Sequence, residues 1–236
     1  MKNKALILAA LLAGGSLTAQ EPATPAEAAT SSYSVTVDFP YASKYVFRGI
    51  QYAEGSFQPS VKVTAGSAYI GLWTNQPVTS NIDNEIDVFA GYGFKLSDTW
   101  SLDVGATLYY YPELDESSGL DETTFEGYVG LNGTVGAVTL GIYAFNDFTL
   151  DTFTVQGTAG YSIPMGDSAS LNLLATLGNV SPDGGDSYVY YGLGATIPYK
   201  LTDSATFNVG GQWASHDLDG VDDSHVWVTV GLTVTF

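Results

Sequence analysis

The last twelve residues of the chain, HVWVTVGLTVTF, form one strictly alternating segment. Val, Leu and Phe occupy every second position from Val226 to Phe236, and the positions between them, from His225 to Thr235, carry mostly small or polar side chains. A period of two predicts a β-strand, and an apolar face that ends in an aromatic residue is typical of a strand between lipid and a polar lumen. Such a strand also suits a soluble β-sandwich. The segment therefore leaves two all-β architectures open.

The start of the chain has the features of an export signal. Lys2 and Lys4 precede an apolar run from Ala5 to Leu12, and small residues up to Ala19 offer a cleavage site. The apolar run is too short to span a bilayer as a helix, and no later segment approaches eighteen consecutive apolar residues. Any membrane insertion is therefore expected through strands. The predicted organisation is a signal peptide at 1–19, a disordered periplasmic lead at 20–32 and a folded domain at 33–236.

Composition and charge narrow the function further. The chain has 27 Gly, 16 Tyr and no Cys, so its fold holds without disulfides. The formal net charge is −18, and removal of the two signal-peptide lysines leaves five basic residues against 25 acidic ones, a net charge of −20. Such an excess of negative charge excludes nucleic acid as a partner.

Strand and turn signals predict about twelve strands. Their expected ranges are 33–50, 57–66, 68–75, 85–95, 100–111, 123–132, 137–147, 153–163, 169–178, 188–199, 205–215 and 225–236. The connections alternate between tight Gly, Pro, Asp or Ser turns and mostly longer, acidic loops, and both ends of the folded domain lie on the side of the tight turns. This sorting favours the barrel over the sandwich. We expect an all-β fold, a transmembrane antiparallel up-and-down β-barrel of about 12 strands in the outer membrane.

Aromatic residues near the strand ends predict two interfacial girdles on the lipid-facing side of the barrel. Any single aromatic residue also suits a strand for reasons of packing alone. The girdle near the long loops is expected to contain Trp73, Tyr110, Phe125, Phe153, Tyr191 and Trp213.

A family resemblance supports the barrel. The segment DFPYASKYVFRGIQY at residues 38–52, followed in order by QPSVKV, AYIGLW, NEIDVFAGYGF and LDVGATLYYYPE, resembles the bacterial family labelled TorF, to which porin function is attributed. The sharpest part of the resemblance is Tyr45 to Ile50. It implies an outer-membrane barrel without assigned catalytic residues. The final strand with Phe236 likewise resembles the carboxyl-terminal assembly signal of such barrels, which implies the barrel-assembly machinery as a partner during biogenesis.

Charged residues at inward positions are the candidate lining of a pore. The expected strand parity points all of them into the lumen, with the basic ones on one wall and the acidic ones several strands away. Such an arrangement sets up a transverse field that orients small polar solutes. The alternative is that these groups pair directly across a narrow lumen and seal it. The candidate lining is Lys44, Arg48, Lys62, Glu85, Asp87, Asp103 and Glu126.

The long loops carry acidic residues and no Lys or Arg. They predict a negative vestibule that attracts cations over a Debye length of about 8 Å. Solvated surface charge explains the same residues, and the loop DLDGVDD lacks the spacing of a complete calcium loop, so no metal site is predicted. The vestibule residues are Glu113, Asp115, Glu116, Asp121, Glu122, Asp217, Asp219, Asp222 and Asp223.

Catalysis is not expected. The two histidines, His216 and His225, each follow a serine directly, and adjacent residues of a strand face opposite sides, so no nucleophile and base are paired. No cofactor motif is present either. The sequence thus predicts a porin, a passive diffusion channel for small hydrophilic solutes or ions that favours cations and is surrounded by outer-membrane lipid. A non-conducting structural or adhesive barrel is the alternative, and the oligomeric state stays open.

Overall fold

The computed structural model describes residues 33–78, 83–114 and 121–236, and these residues form one closed antiparallel β-barrel. Within them, no helix is long and apolar enough to cross a membrane. The strands are β1 (Ser34–Ala42), β2 (Tyr45–Phe47), β3 (Ile50–Ala53), β4 (Ser56–Phe57), β5 (Ser60–Ala65), β6 (Ala68–Pro77), β7 (Glu85–Lys95), β8 (Trp100–Tyr110), β9 (Thr123–Val135), β10 (Val138–Asp147), β11 (Thr152–Pro164), β12 (Ser170–Pro182), β13 (Tyr188–Lys200), β14 (Ala205–His216) and β15 (Ser224–Thr235).

The barrel wall has twelve strands. β4 and β5 together make one of them, because both pair with β1 on one side and β6 on the other, with an interruption at Gln58 and Pro59. Each later strand from β6 to β15 pairs with its neighbour in the chain. The wall closes where β15 pairs with β1, from Thr36 opposite Thr235 to Ala42 opposite Thr229. The predicted fold class and strand number are confirmed.

The two ends of the barrel differ. Five tight turns and both ends of the folded domain lie at one end, here called the turn end, and the longer connections lie at the other, the loop end. Gly66 and Gly136 begin two-residue turns with positive φ angles of 60° and 64°, a conformation that glycine adopts without a steric penalty. The sorting of connections read from the sequence is therefore present in the fold.

Side chains alternate between the two faces of the wall as the final strand predicts. In β15, Val226 and Val228 are 68% and 58% exposed on the outside, whereas His225 and Trp227 between them are buried inside. The same alternation gives most other strands an apolar exterior of Val, Leu, Ile, Phe and Tyr. An apolar band outside and polar groups inside is the arrangement of transmembrane barrels.

The prediction of one strand over residues 33–50 is wrong for the second half of that range. β1 ends at Ala42, and the chain then turns into the barrel as a separate hairpin of β2 and β3. Its turn consists of Arg48 and Gly49, whose φ angles of 45° and 86° are both positive, as a two-residue type I′ turn requires. We call residues 45–53 the lumen hairpin.

Candidate functional site: the barrel interior

The lumen hairpin contacts several parts of the barrel wall. Val46 packs with Ala214 and Trp227 of the last two strands, and Ile50 packs with Tyr188 and Tyr190 of β13. A further cluster contains Tyr45 and Phe47, with Trp73 of β6 packed against it. Because these partners lie on separated parts of the barrel wall, the hairpin occupies the lumen rather than the surface.

Trp73 is therefore not part of the lipid-facing girdle. Its ring centroid lies 5.6 Å from that of Tyr45 inside the barrel, and its neighbour Leu72 is exposed on the outside. The girdle prediction is wrong for this residue, because Trp73 occupies an inward-facing position of β6 and contacts the lumen hairpin.

Arg48, at the tip of the lumen hairpin, pairs with Glu126 of β9. Its Nη2 lies 2.9 Å from Oε2 and 3.1 Å from Oε1 of Glu126, and both side chains are buried. Tyr109 donates a third hydrogen bond, of 3.0 Å, to Oε1. The guanidinium carbon also lies 4.6 Å from the ring centroid of Phe47 and 4.9 Å from that of Phe145. The expected separation of Arg48 from the acidic wall is wrong for this pair, since the hairpin carries Arg48 directly to Glu126.

The other acidic candidates of β7 lie beside the hairpin. Glu85 accepts a hydrogen bond of 3.0 Å from Tyr111, and both Glu85 and Asp87 are buried on the inward face. Asp87 Oδ1 and the hydroxyl of Tyr45 are buried without a hydrogen-bond partner in the described part of the chain. The loop-end half of the lumen is thus densely filled by the hairpin, acidic groups and tyrosines.

The turn-end half of the lumen is more accessible, although its carboxylate Asp103 is only 7% exposed. Lys62 of β5 is half-buried on the inward face and lies close enough to Asp103 for an electrostatic interaction. Asp103 of β8 accepts hydrogen bonds of 2.8 Å from Tyr69 and 3.5 Å from Tyr143.

Lys44 is not on a wall strand as expected but just before the hairpin, where it donates a 2.8 Å hydrogen bond to Gln51.

The predicted vestibule residues lie at the loop end where the structure describes them. Glu113 accepts hydrogen bonds from the backbone and side-chain amides of Asn84, at 3.0 and 2.7 Å, and Asp217 accepts one of 2.7 Å from the amide of Val189. These two carboxylates therefore help to order loops. Asp115 and Glu116 lie outside the described residues. The remaining vestibule residues are exposed: Asp121, Glu122, Asp219, Asp222 and Asp223.

The two histidines are close to each other but not arranged as a catalytic pair. The amide of Leu218 donates to His216 Nδ1 at 3.1 Å, so the proton is on Nε2, which lies 2.9 Å from the carbonyl oxygen of Asp222. Ser215 donates its hydroxyl to the carbonyl of Asp223. No group of three or more potential metal-ligating side chains is present among the described residues.

The lumen hairpin is the part of the candidate site that the sequence did not predict. Residues 45–50 are all buried, without the alternation of a wall strand. One signal was present, because Gly at the second position of a two-residue turn between apolar segments is typical of a hairpin. Arginine at the first position of that turn is not among the residues typical of such a hairpin, so the sequence did not identify it.

Sequence comparison finds a family match and no curated relative. Residues 26–232 match a family described as "Bacterial protein of unknown function (Gcw_chp)". No curated protein is detectably similar to the sequence. The resemblance to the TorF family is not confirmed at that level of detail.

Solved outer-membrane channels share the fold at low sequence identity. The KdgM porin in complex with disordered oligogalacturonate gives a TM-score of 0.58 at 12% identity, over 86% of this chain and 99% of that chain. The NanC porin gives 0.55 at 14% identity, over 85% and 98%. The COG4313 outer membrane channel from Pseudomonas putida F1 gives 0.52 at 10% identity, over 92% and 99%. The shared feature is the closed barrel itself.

Proposed function

Since the chain belongs to the Gcw_chp family, for which no function is given, we propose from its geometry that it is an outer-membrane porin for passive diffusion of small hydrophilic solutes. The observation that carries the proposal is a closed twelve-strand barrel with an apolar exterior and a polar interior around an inward-folded hairpin. Eight strands are filled by side chains and sixteen leave an aqueous channel, so twelve leave room for a lumen that a hairpin narrows.

The proposed orientation follows from the two ends of the barrel. Short turns face the periplasm and longer loops face the outside in single-chain barrels of this kind. The proposed route therefore runs from the acidic loop end, past the lumen hairpin, to the accessible turn-end half. Export through a signal peptide at 1–19, insertion by the barrel-assembly machinery and a lipid-covered exterior are parts of the same proposal.

Cations are the favoured solutes in this proposal. Among the described residues, the interior carries more carboxylates than basic groups, and the exposed carboxylates of the loop end add to that excess. Charges of one sign in a narrow, low-dielectric passage concentrate the opposite ions. The similar KdgM porin was solved with oligogalacturonate, an acidic sugar; the interior of this barrel suits solutes of the opposite charge. The interior carboxylates are Asp38, Glu85, Asp87, Asp103, Glu126 and Asp147, against the basic residues Lys44, Arg48 and Lys62.

Location is the first part to test. The protein should fractionate with outer membranes, and the folded barrel should migrate differently on gels before and after boiling. Recovery as a soluble periplasmic protein would refute the location.

Conduction is tested by single-channel recording of the purified protein in planar bilayers, in a potassium chloride gradient. Discrete steps with a reversal potential toward that of potassium are expected, and an anion-selective channel would refute the assigned role of the carboxylates.

A second candidate function is a non-conducting structural or adhesive barrel. The dense packing of the loop-end half favours it, because Arg48, Glu126 and Tyr190 are each no more than 5% exposed. In that case the wild-type protein is silent in planar bilayers. Channel activity that appears only when Arg48 is replaced by alanine would identify a closed barrel with a latent passage.

A further inference from the structure

A series of five aromatic side chains lines one wall of the lumen. We call them the aromatic row, and it consists of Phe89, Tyr69, Tyr128, Tyr143 and Phe145. All five have inward strand parity, since the residues next to them, such as Ile70, Val129 and Ile142, are exposed on the outside. All five are half-buried, so solvent reaches them from the lumen.

Four of these rings lie against the wall rather than projecting across the lumen. Each stands directly opposite a glycine of the neighbouring strand: Phe89 with Gly71, Tyr69 with Gly91, Tyr128 with Gly105 and Tyr143 with Gly130. A β-carbon at any of these glycines would overlap the ring opposite it. One face of each ring therefore covers backbone, which leaves the other face toward the lumen.

Neighbouring members of the row contact each other across β6, β7, β9 and β10. Phe89 and Tyr69 have ring centroids 6.4 Å apart, and the hydroxyl of Tyr69 hydrogen-bonds that of Tyr128. The centroids of Tyr128 and Tyr143 are 6.1 Å apart, and those of Tyr143 and Phe145 are 5.7 Å apart. The five rings therefore form a connected aromatic surface on four strands of the wall.

A cationic group already occupies the loop end of the row. The guanidinium of Arg48 lies over Phe145 at 4.9 Å and is neutralised by Glu126. Near the turn end, Asp103 is the corresponding carboxylate, and it contacts Tyr69 and Tyr143 through hydrogen bonds that they donate. The ring faces and a carboxylate thus recur at both ends of the row. Arg48 forms an ion pair with Glu126 at the loop end, whereas Lys62 near the turn end interacts with Asp103 electrostatically without forming an ion pair with it.

We propose that the aromatic row with Asp103 is a binding track for organic cations that carry a guanidinium or quaternary ammonium group. The negative face of an aromatic ring attracts such a cation, most strongly where water is partly excluded. Planar guanidinium also stacks on a ring while it pairs with a carboxylate, as Arg48 does here. An anionic solute would meet ring faces and carboxylates, both of which repel it. The assignment deepens the proposed function and rests on it for transport, although binding from the turn end does not require conduction.

The test compares L-arginine with L-citrulline, in which a neutral urea group replaces the guanidinium. Binding of each radiolabelled compound to the folded full-length protein in zwitterionic detergent is measured by equilibrium dialysis. We expect arginine to bind about tenfold more tightly, from two or three ring contacts of roughly two- to fivefold each. Equal binding of the two compounds would overturn the assignment to cations.

Matched variants separate the contribution of the ring faces to arginine binding from other effects of the substitutions. Tyr128→Leu and Tyr143→Leu should each weaken arginine binding roughly two- to fivefold, whereas Tyr128→Phe keeps the ring and should leave it unchanged. Tyr191→Leu, on the outer surface, is the control for a Tyr to Leu change elsewhere in the barrel. Asp103→Asn should also weaken binding by up to about fivefold, since it removes the charge but keeps a hydrogen-bond acceptor. Unchanged binding in both leucine variants would overturn the proposal.

The result is distinguishable from failure of the porin assignment. A protein that conducts potassium but binds arginine and citrulline equally keeps the channel and loses the track. A protein that is silent in bilayers but binds arginine selectively loses the porin assignment and keeps the site. Heat-modified migration on gels verifies that each variant is folded before its binding is compared.

Discussion

Replacement of Glu126 by glutamine tests whether the lumen hairpin is held by its buried ion pair. The wild-type carboxylate accepts two hydrogen bonds from Arg48 and one from Tyr109, with both charged side chains almost completely removed from solvent. Glutamine has nearly the same shape and can still accept from Tyr109. The substitution therefore removes the charge while changing the volume little, and leaves Arg48 without its counter-ion.

The expected loss of stability follows from these contacts. Removal of one partner of a buried ion pair costs about 3–5 kcal/mol, because the remaining charge stays desolvated. Arg48 keeps the faces of Phe47 and Phe145, and a cation over a ring is stabilised by about 0.5–2 kcal/mol. Because these ring contacts are present with and without the carboxylate, they do not offset the loss, and we expect Glu126→Gln to lower the free energy of unfolding by about 3–5 kcal/mol. The double variant Arg48→Met with Glu126→Gln contains no stranded charge and should recover most of that loss.

Urea unfolding of the protein in detergent, followed by tryptophan fluorescence, measures this change. Trp73 and Trp227 both pack near the lumen hairpin and should report its release before the wall unfolds. Asp98→Asn is the matched control, because its partner Lys95 and Asp98 form an exposed ion pair in a turn, and no measurable change is expected. A loss of less than about 1 kcal/mol for Glu126→Gln, the value typical of exposed pairs, would refute the view that this pair holds the hairpin.

Three further predictions concern the hairpin turn, the closing strand and the loops. Gly49→Ala should release the hairpin and raise the frequency of open events in bilayer recordings, because alanine is strained at φ 86° and its β-carbon would lie 2.9 Å from that of Tyr190; unchanged gating would contradict this. Deletion of Phe236 should reduce the amount of folded barrel on unboiled gels, because its backbone closes the barrel against Val35. Its change to Asp should do the same, because a charge replaces the last lipid-facing aromatic side chain; wild-type levels would count against both expectations. Neutralising acidic loop residues should shift the reversal potential toward zero, most clearly at low salt, and an effect independent of salt would argue against a vestibule. The residues to neutralise are Glu113, Asp115, Glu116, Asp121 and Glu122.

Local sequence patterns were sufficient for the barrel wall because strand periodicity is a local property. Side chains two apart on a strand share a face whatever the strand pairs with. Alternation in β15 therefore identified the lipid face from Val226 to Leu232, and inward parity identified Glu85, Asp87, Asp103 and Glu126 as interior residues. Short and long connections likewise revealed which end of the barrel each turn occupies.

The path of residues 43–55 could not be read in the same way. Alternate positions from Asp38 to Arg48 suit one long strand, and an extended segment has the same period in the wall or in the lumen. Whether the chain continues along the wall at Ala42 or turns inward depends on partners that lie far away in the sequence. Glu126, for example, is 78 residues from Arg48.

The sequence by itself determined that this chain forms a closed barrel whose strands alternate apolar and polar side chains and whose net charge is negative. Side-chain parity and turn chemistry are properties of short segments, and net charge follows from composition alone. Only the tertiary structure decided that Arg48 pairs with Glu126, that Trp73 faces inward and that five rings form a continuous row. Each of these depends on strands brought together by closure of the barrel. Closure fixes which side chains share the lumen, and the lumen hairpin then makes neighbours of residues such as Arg48 and Glu126 that are far apart in the sequence.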